Sequence, residues 1–60
     1  MPISGKEMVK KYQDQDWIVL RQRGSHIILG RGQERETIPD HRELKKGLEK
    51  KLLKRLKERS

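Results

Sequence analysis

The feature that most constrains this chain is a pair of residues, Gly24 and Ser25, set between two strand-like runs. Residues 17–23 are rich in aromatic and β-branched side chains before turning polar, and residues 26–29 are apolar behind a leading His26. A two-residue connection with glycine first is the signature of a type II′ hairpin turn, since glycine takes a positive φ without steric cost. The turn then dictates a register in which Arg23 faces His26, Gln22 faces Ile27, Arg21 faces Ile28 and Leu20 faces Leu29.

Side chains alternate between the faces of a strand, so this register sorts the hairpin into two surfaces. Ile18, Leu20, Ile27 and Leu29, with Gln22 at the end, make an expected core face. Trp17, Val19, Arg21 and Arg23 fall on the other face beside His26 and Ile28. That second face is apolar at one end and cationic around a histidine at the other.

The flanking segments read as helices. Ser4 and Glu7 have the spacing of a capping box, Ile3 and Met8 that of a hydrophobic staple, and Met8, Val9 and Tyr12 share one helical face. Gly30 to Gln33 reads as a turn, and residues 35–38 as a third strand stopped by Pro39. Residues 40–46 are expected to form a turn, and a helix should run from about Gly47 to Glu58, with Leu48, Leu52 and Leu56 as its apolar stripe and Leu53 at the shoulder. Helix, three strands, helix predicts an α+β fold, two helices on one face of a three-stranded antiparallel sheet. The arrangement resembles a double-stranded-RNA-binding domain.

No repeat or linker divides the 60 residues, so residues 1–60 are expected to be one domain. Only 30% of them are apolar, a small core that a second copy of the chain or a partner protein would help to cover. With no cysteine there is neither a disulfide framework nor a Cys-based zinc site. The longest apolar run, residues 17–20, is far short of the roughly 20 residues that cross a membrane. The opening residues 1–6 contain no secretory-type stretch, which makes the cytoplasm the expected location. Sixteen Lys and Arg against nine Asp and Glu give a net charge of +7, which attracts nucleic acid, an acidic protein or an anionic surface.

His26 is the candidate catalytic residue. Imidazole is the side chain suited to accept and return a proton in this kind of chemistry. A base beside RNA can take the proton of the 2′-hydroxyl, while cations hold the phosphate on which charge develops. Arg21 and Arg23 are the candidate phosphate contacts, and Ser25 is either a turn former or a phosphate hydrogen-bond donor. Lys45 and Lys46 could meet phosphates at the start of the last helix. His41, a lysine or arginine, or water could return the proton to the leaving group. Each residue also fits a plainer role: a solvated charge, a surface histidine, a basic turn. Trp17 fits packing, base stacking or a partner contact. No metal-ligand spacing and no phosphate-binding glycine loop is present, so a mechanism without metal or cofactor is the simplest.

The segments Ser4-Gly5-Lys6-Glu7, Trp17 leading to Arg21-Gln22-Arg23-Gly24-Ser25-His26, Thr37-Ile38-Pro39-Asp40-His41, and Lys46-Gly47 before a Leu-rich helix together resemble the HicA, or YcfA-like, toxin family. The resemblance spans nearly the whole chain. It implies a double-stranded-RNA-binding-domain-like fold, ribosome-independent cleavage of mRNA, and neutralisation by a HicB antitoxin in a toxin–antitoxin hetero-oligomer. It also implies catalysis by the histidine of the Gly-Ser-His motif, here His26. A noncatalytic RNA-binding module and a protein-interaction module that presents the same cationic face are the competing readings.

Overall fold

Ser4 opens the first helix as its spacing from Glu7 requires. Its side chain accepts from the Glu7 amide at 3.1 Å, and Glu7 Oε1 accepts from the Ser4 amide at 3.0 Å, completing the capping box. That bond to Ser4 holds the Glu7 carboxyl below the usual carboxylate range. The computed structural model describes residues 3–58, so Met1 and Pro2, which bear on the expectation about the chain's opening, lie outside the described residues. The elements follow in the expected order: α1 (Gly5–Gln13), β1 (Ile18–Arg23), β2 (His26–Arg31), β3 (Glu34–Pro39) and α2 (Lys46–Glu58). The second and third strands are each longer than expected, and α2 begins one residue before Gly47.

The sheet is antiparallel in the order β1-β2-β3, with β2 at its centre. Gly24 has φ +58°, with no positive φ at Ser25, as a type II′ turn requires. Gly32, φ +59°, serves the second hairpin in the same way. One compact core joins Met8, Val9 and Tyr12 of α1, Leu52 and Leu56 of α2, and Ile27, Leu29 and Ile38 of the sheet. Both helices therefore cover one face of the sheet, and the tie between them is explicit: the Tyr12 hydroxyl donates to the Leu52 carbonyl at 2.9 Å. Burial pushes that hydroxyl up to about 12.

The register holds for three rungs and then departs from expectation. Arg23↔His26, Gln22↔Ile27 and Arg21↔Ile28 pair as the turn dictates, but Val19, not Leu20, stands opposite Leu29. Leu20 is the extra residue of a β-bulge. A single extra residue exchanges the faces of everything before it. Ile18 and Leu20, expected in the core, are 65% and 50% exposed, whereas Trp17, expected on the opposite face, is only 2% exposed. Val19, expected outside, aligns with Leu29 at the sheet edge and remains 38% exposed.

The energetics explain the exchange. A buried tryptophan removes about 150–250 Å² from water, worth about 4–6 kcal/mol at ~25 cal/mol per Å². Leaving Ile18 and Leu20 partly exposed forfeits only about 2–3 kcal/mol together. The buried Trp17 Nε1 has no hydrogen-bond partner among the described residues, at a cost of about 1–3 kcal/mol, so the bulge yields a small net gain rather than the full difference. Trp17 then meets Tyr12 edge-on with ring centroids 5.2 Å apart, and the guanidinium groups of Arg31 and Arg55 lie over it at 4.9 and 5.0 Å.

Candidate active site and nucleic-acid interface

His26 opens the central strand, paired with Arg23 on one side and Pro39 on the other. Its face is the one turned from the helices, because the next residue, Ile27, is buried in the core. Arg21 lies in the row opposite Ile28, on the same face. Arg21, Arg23, Ser25 and His26 are all exposed. Neither the Arg21 nor the Arg23 side chain has an ion-pair or hydrogen-bond partner among the described residues. Further along this face Gly30 leaves room for the Leu20 and Arg35 side chains, which close over it.

The turn that carries His26 is tied down. The Ser25 carbonyl accepts from the Asp40 amide at 2.6 Å, joining the hairpin tip to the segment after β3. Gln22, the polar residue at the end of the core face, donates through Nε2 to the Gly24 carbonyl at 3.0 Å and to Asp40 Oδ2 at 3.4 Å. A polar side chain at this position thus secures the turn.

The same segment brings His41 to this end of the molecule. The His41 carbonyl accepts from the Gly5 amide at 2.8 Å, and the Leu44 amide donates to the Ile3 carbonyl at 2.9 Å. A Cβ at Gly5 would collide with the Pro39 carbonyl, so glycine is what allows α1 to approach so closely. Between the two segments lies a recess of about 210 Å³ lined by Ser4, Lys6, Asp40, His41 and Arg42. Lys6 and Arg42 are cations that the sequence pattern did not single out. Their signal was the glycine beside Lys6, whose purpose emerges only from the approach to Pro39.

Lys45 and Lys46 stand elsewhere. Lys46 is the first residue of α2, the Lys45 carbonyl accepts from the Glu49 amide at 2.8 Å, and both side chains are exposed. Neither makes a hydrogen bond or ion pair with the hairpin. The site thus unites Arg21, Arg23, Ser25 and His26, adds the His41 segment at its border, and leaves the two lysines on a separate element. Trp17 is a core residue on the other face of the sheet, which removes it as a base-stacking platform. Among the described residues no cluster of His, Asp or Glu could hold a metal ion.

The sequence model of a family described as the HicA toxin of bacterial toxin–antitoxin matches residues 5–57. The chain belongs to the HicA toxin family. The match covers nearly all of both helices, the whole sheet and the Gly24-Ser25-His26 turn. No curated protein and no solved structure matches the chain. Membership of the HicA family makes the chain the toxin component of a toxin–antitoxin pair, with an antitoxin as its partner in general terms. No helix of the described residues is long and apolar enough to cross a membrane.

Proposed function

We propose that this HicA-family toxin is a metal-independent endoribonuclease that cleaves mRNA in the cytoplasm, with His26 as general base. The observation that carries the reading is an exposed histidine on the open sheet face, anchored through its turn and beside two arginines whose side chains have no partner among the described residues. His26 takes the proton of a ribose 2′-hydroxyl, and the oxygen attacks the adjacent phosphorus. The bond to the 5′-oxygen breaks, leaving a 2′,3′-cyclic phosphate and a 5′-hydroxyl. That departing oxygen needs a proton, from His41, a lysine or arginine, or water. Arg21 and Arg23 hold the phosphate as charge develops on it, with Ser25 as an additional hydrogen-bond donor. Lys45 and Lys46 act on RNA further along the strand. The partner is a HicB-type antitoxin that covers the His26 face with acidic groups, in a hetero-oligomer whose association rate falls with salt.

His26→Ala tests the reading directly. Cleavage of an RNA substrate should fall by about 100-fold or more, growth arrest should disappear, and salt-sensitive RNA binding should persist. Undiminished cleavage by the variant would overturn the role of His26. Binding by the unaltered protein without any cleavage would leave a noncatalytic RNA-binding module.

A further inference from the structure

A second concavity lies on the helical side of the molecule, away from His26. It is a groove of about 620 Å³ between the end of α1 and the outer side of α2, lined by Lys11, Lys50, Lys54 and Lys57 with Leu53 and Leu56 at its floor. Residues 50, 53, 54 and 57 follow the three-and-four spacing of one helical stripe, which sets the partly buried Leu53 among three lysines, with the buried Leu56 at its inner edge. Lys50 and Lys54 form no ion pair among the described residues. The helices flank this opening while their tie lies deeper, at the buried Tyr12 to Leu52 hydrogen bond.

We infer that this groove is a docking surface for an acidic, amphipathic segment of the antitoxin, separate from the contact that covers His26. Charge complementarity selects the sign: Lys11, Lys50 and Lys54 on the rim, on a chain of net charge +7, favour carboxylates. The floor selects the class of molecule. A sugar–phosphate backbone is held by point charges and gains little from the apolar surface around Leu53, whereas leucines on one face of a helix would bury that surface while their acidic neighbours meet the rim. The two layers make the molecule only 16 Å thick in its shortest extent, so one antitoxin chain can reach both faces with a short connection. The inference does not depend on ribonuclease chemistry at His26, since occupation of the groove leaves the outer sheet face open.

Two measurements test it. In the first, the labelled full chain is titrated with a synthetic peptide having leucine every three or four residues and glutamate between them, with a serine-for-leucine control and with oligouridylate. The leucine peptide should shift the amide resonances of Leu53, Lys54 and Leu56, leave those of Arg23 and His26 in place, and bind far more tightly than the control. Equal binding of the control, shifts confined to the hairpin, or groove shifts produced by oligouridylate but not by the peptide would overturn the proposal. In the second, Lys50→Glu/Lys54→Glu should weaken the complex with the co-expressed antitoxin about tenfold, mainly through a slower association rate, without reducing RNA cleavage by the free toxin. Lys50→Gln/Lys54→Gln should weaken it less, separating loss of attraction from repulsion. An affinity unchanged by either substitution would remove the antitoxin as the occupant. Circular dichroism melts of the variants should match the parent, because both lysines are exposed.

Discussion

The two ends of the sheet use arginine in opposite ways. At the hairpin tip, Arg21 and Arg23 stand exposed beside His26, and no carboxylate among the described residues meets them. At the far end, Arg55 lies 2.6 Å from Glu36 Oε1 and 3.7 Å from Glu34 Oε2, Arg31 donates to the Gln15 carbonyl at 2.9 Å, and both guanidinium groups cover Trp17. Four residues of the same type therefore divide into two that hold the protein together and two whose charge is available to an outside anion. Composition counts them alike. What separates them is whether an aromatic ring and acidic partners share their face of the sheet.

Substitutions can break this contrast. The largest stability effect should come from Trp17→Ala, which empties the core position and leaves both stacked guanidinium groups without their ring. A cost of about 3–5 kcal/mol would unfold much of so small a domain, read as an absent or strongly lowered thermal transition by circular dichroism. Were the far end as dispensable as the tip, the transition would stay in place.

Arg21→Ala/Arg23→Ala should do the reverse. The melting temperature should barely move, while RNA affinity falls and the slope of log affinity against log salt becomes shallower by about 1.4, since each phosphate neutralised on single-stranded RNA contributes about 0.7. An unchanged slope would show that these arginines do not touch the backbone. Arg55→Gln sharpens the comparison from the other side. It should cost about 1 kcal/mol by removing the partly exposed ion pairs and the cation above the Trp17 ring, and leave RNA affinity unaltered.

The smallest effect is a pH dependence inside the core. In the unfolded chain a tyrosine hydroxyl ionises near its ordinary value, about 10, whereas burial raises that of Tyr12 to about 12. The unfolded chain therefore loses this proton first. Its stabilising contribution is complete below pH 10 and declines as pH rises toward 12. Tyr12→Phe should flatten the fall in melting temperature over that window, relative to the parent protein.

Much of the candidate site was legible in the sequence because it sits on a turn. Gly24 and Ser25 determine the pairing of the rungs nearest to them, so Arg23, His26 and Arg21 could be placed together on one face from spacing alone, and the structure agrees. The recess bordered by Lys6, His41 and Arg42 was not legible. It depends on α1 reaching the segment after β3, an approach between residues far apart in the chain that only the absent side chain of Gly5 permits.

The order of elements, the capped start of α1, the hairpin turn and its first three rungs are all written locally in the chain, since each depends on forces acting within a few residues. Tertiary structure alone decided where the fourth rung slips, which of Trp17, Ile18 and Leu20 is buried, and which arginines are occupied by carboxylates. Those outcomes follow from competition among distant groups for one small interior: the bulky indole gains more from burial than two aliphatic side chains lose by exposure. The place where the strand accommodates an extra residue follows from that balance.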